Sequence, residues 1–331
     1  MKAVVITKNK NLVWTEVPDP VLNEGEVLVE VHAAALNRAD LMQREGVYPP
    51  PPGCPEWPGL EISGVIKEMS EQAKAQSQWK IGDKVCALLG GGGYAEYVAV
   101  HHSMLMPVPK GISMVEAAAL PEAFATAYLN LFMEGGAKEG DTLLMHAGAS
   151  GLASVIIPMA KAFGLRVITT VLSAEIAKTI THLNADVVID TSTENVADRL
   201  RMEAENGHPV NIAIDCLGGE SLGECLPHVA YGCRWIMIAT LAGDISTINL
   251  RTLFMKNIRL IGSTLRSKPP AVKAQILSRL VREVWPKVES GEVRPTIYAT
   301  LPITQAEEAH AILEQGKNVG KVVLTVKETS L

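Results

Sequence analysis

A run of small residues, His146-Ala147-Gly148-Ala149-Ser150-Gly151, lies between two apolar segments. The residues before it, Thr142 to His146, read as a short strand. Those after it, Leu152 to Phe163, read as a helix that Gly164 stops. Strand, small-residue turn and helix aim bare backbone N–H groups and the positive end of a helix at one point, which is the chemistry of holding a phosphate. Side chains larger than serine in the turn would hold a pyrophosphate away. Set against the dinucleotide fingerprint Gly-x-Gly-x-x-Gly, the three positions are Gly148, Ser150 and Ala153, with Gly151 beside the second. The competing reading is a tight strand-to-helix turn in an α/β core.

The elements around this turn divide into two kinds. Residues 1 to about 120 are mostly strand-like: Val27, Val29 and Val31 alternate with Leu28, Glu30 and His32, and extended runs follow at Gly59 to Met69, Lys84 to Leu88 and Tyr94 to Val100. Between Leu36 and Gly53 the chain is polar and reads as a loop. It ends in four prolines, Pro49 to Pro52, a stiff segment suited to the wall of a cleft. Helical character begins at Val115. From Thr142 onward strands and helices alternate, with strands at Arg166 to Val171, Val187 to Asp190, Asn211 to Cys216, Arg234 to Ala239 and Ile258 to Gly262. That alternation predicts a doubly wound parallel sheet. The tail returns to a long helix, Ala271 to Glu289, which Pro286 kinks or ends early. Thr304 and Glu307 then read as a capping-box pair before another helix, and Val322 to Val326 as a last strand. The fold class is α/β: a β-rich domain from residues 1–120 and 262–331, and a dinucleotide-binding domain at 121–261. The cleft between them is the expected active site.

Composition narrows the function classes. The 331 residues are 47% hydrophobic and 20% charged, as in a packed globular enzyme. A net charge of −6 argues against nucleic acid as a partner. No apolar run is long enough to span a bilayer, and the N-terminus lacks the apolar core of a signal peptide. Five scattered cysteines, Cys54, Cys86, Cys216, Cys225 and Cys233, read as reduced and structural, in a cytoplasmic setting.

Several segments carry a resemblance that covers the whole chain. They are Ala35 to Gly53 (ALNRADLMQREGVYPPPPG), Trp79 to Val85 (WKIGDKV), Gly91 to Val98 (GGGYAEYV), Ala117 to Tyr128 (AAALPEAFATAY), His146 to Gly151 (HAGASG), Asp215 to Gly219 (DCLGG) and Asn318 to Leu324 (NVGKVVL). In these the sequence resembles the zinc-free medium-chain dehydrogenases/reductases, specifically the NADPH:quinone oxidoreductase family and its tumour-suppressor-inducible branch. The resemblance implies a GroES-like catalytic domain, a Rossmann domain, and a homodimer or homotetramer that could pair through a sheet-edge strand near Ala239 to Ile248. Zinc-dependent cousins carry Cys and His where this chain has Asn37 and Leu60. Leucine cannot ligate zinc and asparagine is a poor ligand, so no metal is expected.

The same resemblance assigns residues. Tyr48 and Asn37 match the active-site wall: Tyr48 either donates its hydroxyl to the substrate, stacks on it, or covers the proline segment. Asn37 either contacts substrate or fixes its own loop. Ser150 falls on a phosphate-loop serine placed near substrate, and Thr126 on a threonine near the nicotinamide. The cofactor set is completed by Gly148, Ala149, Gly151, Leu152, Ser173, Lys178, Cys216, Gly218, Ala239 and Lys321. Asp40, Glu61 and His146 read as structural. The second strand of the dinucleotide-binding domain ends Thr170-Val171-Leu172-Ser173, with no acid to repel a 2′-phosphate, which favours NADPH. Ile176 and Thr191 replace the usual lysine and aromatic, so NADH use stays open. Ala153 and Pro158 depart from the first-helix pattern, and Pro158 should kink that helix. The expected activity is hydride transfer from NADPH to a quinone or related conjugated carbonyl. An enone or enoyl reductase of the same fold, and a non-catalytic dinucleotide sensor, are the alternatives.

Overall fold

The computed structural model describes residues 1–316 and 318–327. The chain divides into two compact units, one of residues 1–125, 266–291 and 295–331, the other of 126–265 and 292–294.

The strands in chain order are β1 (Lys2–Ile6), β2 (Leu12–Glu16), β3 (Glu26–Ala35), β4 (Glu61–Met69), β5 (Lys84–Leu88), β6 (Tyr97–His101) and β7 (Leu105–Pro107). They continue with β8 (Thr142–Met145), β9 (Arg166–Val171), β10 (Val187–Asp190), β11 (Ile212–Asp215), β12 (Arg234–Met237) and β13 (Arg259–Gly262), then β14 (Ile297–Pro302) and β15 (Lys321–Thr325). In the first unit a sheet runs β14-β15-β3-β4-β5-β7, with β6 also on β3, and β1 pairs β2 separately. The long strand β3 is the hub. Its Val27, Val29 and Val31 are fully buried, as their alternation requires. It pairs antiparallel with β4, β6 and β15.

The segment Leu36 to Gly53, expected as loop, contains a helix, Arg38–Glu45. Its sequence is too polar to show an apolar stripe. Its signal is the cap pair: Asp40 Oδ2 accepts from the Asn37 N–H at 2.7 Å, and Gly46 at φ 81° closes the other end. The Thr304–Glu307 capping box is not formed. Thr304 lies in a 3₁₀ turn, and the helix Ala306–Gln315 begins after Gln305. Glu307 instead accepts from the Leu12 N–H and pairs with Arg44 at 2.7 Å. Long-range charge and strand-edge donors outcompete the local cap. The tail helix does break near Pro286, into Pro270–Glu283 and Trp285–Glu289.

The second unit is a six-stranded sheet in the order β10-β9-β8-β11-β12-β13, all parallel. All four residues of β8 are buried, as are all four of β11. Continuous burial marks strands covered on both faces, and only Thr142 and Asp215 among these eight residues are polar. The helix Ala153–Ala162 continues through Pro158. Residues 239–248 do not form the expected edge strand. They are loop, with one bridge between Gly218 and Gly243, and the sheet edges are β10 and β13. Among the described residues no helix is long and apolar enough to cross a membrane.

Candidate active site

In the second unit the chain order of strands reverses between β8 and β11, so the loops after these strands flank one crevice at their carboxyl ends. The turn after β8 is held from below. Thr170 Oγ1 accepts from the Ala147 N–H and pairs with His146 Nδ1, each at 3.1 Å, and the Gly148 N–H donates to Thr170 O at 2.8 Å. Ala147 adopts φ 55°, a left-handed conformation unusual for a residue with a side chain. Gly148 is pressed against the next strand: a Cβ there would lie 2.5 Å from Thr169 Oγ1. Ser150 Oγ accepts from the Ala153 N–H at 3.1 Å, and its backbone N–H donates to Ala147 O. The N–H groups of Ala149, Gly151 and Leu152 have no partner among the described residues. Three unpartnered donors at the start of a ten-residue helix form a cradle that fits a pyrophosphate.

The other expected cofactor residues in this unit fall around the same sheet end. Asp215 Oδ1 accepts from the N–H groups of Leu217 and Gly218, and Asp215 Oδ2 from Trp235 Nε1 at 2.9 Å, which fixes the loop carrying Cys216 and Gly218. Gly218 adopts φ 64°, with Gly243 O only 2.6 Å from where a Cβ would stand. Ala239 follows β12, the neighbour of β11. After β9, Ser173 Oγ caps the short helix Ala174–Thr179 by accepting from the Ile176 N–H, and Lys178 is exposed at that helix's end. Thr191 is folded back, both its N–H and its hydroxyl donating to Val171 O. Thr126 is half-buried, and its carbonyl accepts from Asn130 Nδ2. His146 is buried at 2% exposure, and burial lowers its pKa, so its ring is a neutral core group.

The first unit holds a buried charged cluster. Lys321 Nζ donates to Leu36 O at 2.6 Å and Asn37 Oδ1 at 2.7 Å, and pairs with Glu61 Oε1 at 2.7 Å. All three ammonium protons are therefore used. The ammonium is anchored within the first unit. Asn37 Nδ2 donates to Glu61 Oε1 at 3.0 Å, and the Glu122 N–H donates to Glu61 Oε2 at 2.8 Å. Asn37 thus joins a helix start to this cluster. Asp40, fully buried, accepts from the Gly59 N–H at 2.9 Å. Burial pushes its pKa up to about 6, against the pull of those two N–H donors. Burial and the Glu61 carboxylate push Glu122 up to about 8.

The same unit opens into a cavity of about 870 Å³, lined by Tyr48, Pro51, Cys54, Trp57, Arg266 and Lys273 among others. Arg266, only 7% exposed, ties three segments together. Its guanidinium donates to Gly90 O at 2.7 and 3.1 Å, to Gln43 Oε1 at 2.8 Å and to Tyr48 O at 3.3 Å. Its central carbon lies 4.8 Å from the centroid of the Tyr48 ring. Tyr48 is half-buried. Burial raises its pKa although Arg266 pulls the other way, so the phenol keeps its proton. Its hydroxyl has no hydrogen-bond partner among the described residues. Sequence reasoning missed Arg266, Lys273 and Glu122. The basic run Arg266-Ser267-Lys268 before two prolines was visible, but only the fold brings it to Tyr48.

Comparison with known proteins follows the same division. Residues 23–110 match the alcohol dehydrogenase GroES-like domain, and 183–324 the zinc-binding dehydrogenase family. The chain is 30% identical over 311 residues to a quinone oxidoreductase-like protein 2 homolog of Nematostella vectensis, covering 93% of this chain and 83% of that one. It belongs to the medium-chain dehydrogenase/reductase family. Within that family it is an oxidoreductase, with the GroES-like and Rossmann-like architecture of its relatives. A mycobacterial quinone oxidoreductase superposes with a TM-score of 0.85 at 27% identity, over 98% of this chain and 99% of the other. A mycobacterial protein solved in complex with NADPH gives 0.83, also at 27%, over 98% of this chain and all of the other. Zinc does not fit the positions that bind it in zinc-dependent members. Leu60 is a buried alkyl group, Asn37 is bound between Glu61 and Lys321, and an ammonium occupies the centre of that oxygen cluster. Among the described residues no three His, Cys, Asp or Glu side chains gather as a metal site.

Proposed function

We propose that the chain is an NADPH-dependent reductase of quinones and related conjugated carbonyls. The observation that carries this is Tyr48: a protonated phenol without an internal partner, lining a cavity roomy enough for a bicyclic acceptor. When bound, the dinucleotide supplies the hydride. The chain's own residues do three things. Ala149, Gly151 and Leu152 donate to the pyrophosphate. Tyr48 donates to the acceptor oxygen on which negative charge develops. Arg266 holds Tyr48 by its carbonyl and its ring face. The NADPH-bound mycobacterial neighbour supports the cofactor, as do the absence of an acid at the tip of β9 and the Ser173 hydroxyl there. The quinone oxidoreductase relatives support the acceptor class.

The test is loss of reduced-nicotinamide absorbance with NADPH or NADH against a panel of quinones and enones, for the wild type and Tyr48→Phe. Removing one donor to the developing oxyanion should lower kcat about 10- to 100-fold with little change in KM for NADPH. Turnover unchanged by Tyr48→Phe would remove Tyr48 from the chemistry. Binding of NADPH without turnover of any acceptor would refute the reductase reading.

A further inference from the structure

The cavity that holds Tyr48 is electrostatically one-sided. Arg266 and Lys273 line it, whereas Glu26 is the only Asp or Glu side chain on its wall among the described residues. Glu26 is occupied at the far end, accepting from the N–H and side-chain amide of Asn23. The α-amino group of Met1, also on the wall, is paired with Asp19. At the Tyr48 end the charge is not balanced. Every hydrogen-bond acceptor on the buried Arg266 guanidinium is neutral: Gly90 O, Tyr48 O and Gln43 Oε1. Lys273, half-buried, donates to Arg266 O at 2.7 Å and has two ammonium protons left. Among the described residues no carboxylate pairs with either side chain. The carboxyl group that acts on Lys273 is Glu122, whose pKa of about 8 keeps its proton at neutral pH. Two cations withdrawn from water without a counter-charge are costly, and a bound anion relieves that cost.

From this unbalanced pair we infer that the cavity selects acceptors carrying an anionic substituent, a carboxylate or sulfonate on the conjugated ring or chain, bound by Lys273 in the field of Arg266. This deepens the reductase reading and rests on it for the reducible part of the ligand. The anionic group docks at Lys273 while the carbonyl faces the Tyr48 hydroxyl. Lys273 is then a specificity residue that touches the substrate's charge rather than its reacting atoms. The first turn of the helix Pro270–Glu283, from which Lys273 projects, adds favourable partial charge.

The experiment compares a neutral naphthoquinone with its sulfonate in steady-state kinetics with NADPH, for the wild type, Lys273→Met and Lys273→Arg. The two quinones differ in intrinsic reactivity, and that difference cancels when the ratio of their KM values is compared between variants. The expected result is a ratio shifted about tenfold against the sulfonate in Lys273→Met, the worth of one charge-assisted hydrogen bond. It should be largely restored in Lys273→Arg, with the wild-type preference fading as salt rises. An unchanged ratio would overturn the proposal. Calorimetric titration with naphthalene sulfonate, which has no carbonyl to reduce, separates this inference from the reductase reading. Binding lost in Lys273→Met supports the anion site even where no quinone is turned over. Equal binding by wild type and variant refutes it.

Discussion

Replacing Glu122 with glutamine should make the protein more stable above neutral pH. Glu122 is half-buried at the start of the helix Pro121–Tyr128 and shares its surroundings with Glu61, Asp40 and two balancing ammonium groups, Lys321 and Lys273. Its folded pKa is about 8 against a usual 4.5. Between those values the folded state keeps a proton that the unfolded state has released, so stability falls as pH rises through this window. The full difference corresponds to about 5 kcal/mol, which solvent screening at a half-buried group reduces to roughly 3 kcal/mol. Spread over the window, that is a loss of about 1 kcal/mol per pH unit. Glutamine mimics the protonated acid and never ionises. Urea unfolding at pH 5, 6, 7 and 8 should show wild-type stability declining throughout and Glu122→Gln nearly flat from pH 6 to 8, with the variant ahead by about 2–3 kcal/mol at pH 8. Asp40, at about 6, declines over a lower window in both proteins and does not blur the upper one. The infrared carbonyl band of a protonated carboxylic acid, present in native wild type at pH 7 and reduced in the variant, gives a reading independent of unfolding. Parallel stability curves from pH 6 to 8, with no change in that band, would show Glu122 ionised in the native protein and would refute the reasoning.

Two further outcomes follow from the same geometry. Lys321→Met removes the ammonium that joins Leu36 O, Asn37 Oδ1 and Glu61, leaving a fully buried carboxylate uncompensated; it should cost about 3–5 kcal/mol by urea unfolding at pH 7, and a loss under 1 kcal/mol would mean that the cluster rearranges freely. Gly148→Ala places a methyl 2.5 Å from Thr169 Oγ1, forcing the phosphate turn off its strand; NADPH affinity by calorimetry should drop at least tenfold, whereas unchanged affinity would remove this turn from cofactor binding.

Local pattern was decisive where a segment's environment is simple. β8, with four buried residues, can only be a strand covered on both faces, and the helix Ala153–Ala162 follows from its apolar run and the glycine that stops it. The alternation of such segments pointed to the parallel sheet, and Gly148, Ser150 and Gly151 marked the tight turn after β8. Local pattern misled where a polar side chain had a choice of partners. The Arg38–Glu45 helix was hidden by its polarity, although Asn37 and Asp40 announced its start. Glu307 looked like a cap and became a long-range partner of Arg44 and the Leu12 N–H.

The sequence by itself determined the two-part architecture, the small-residue turn after β8, and the lack of zinc-ligating residues at positions 37 and 60, because backbone conformation and ligand chemistry are properties of the residue types themselves. Only the tertiary structure decided which charges meet. Lys321 lies 284 residues from Asn37 and Arg266 lies 218 from Tyr48, yet each pair is in contact. No periodicity encodes such contacts. They arise when β15 pairs with β3 and the segment after β13 returns to the first unit. The resulting burial keeps a proton on Glu122, leaves Arg266 and Lys273 without a counter-charge, and uses every proton of Lys321. Burial and partner choice are set by the whole fold, and they fix the electrostatics of the site.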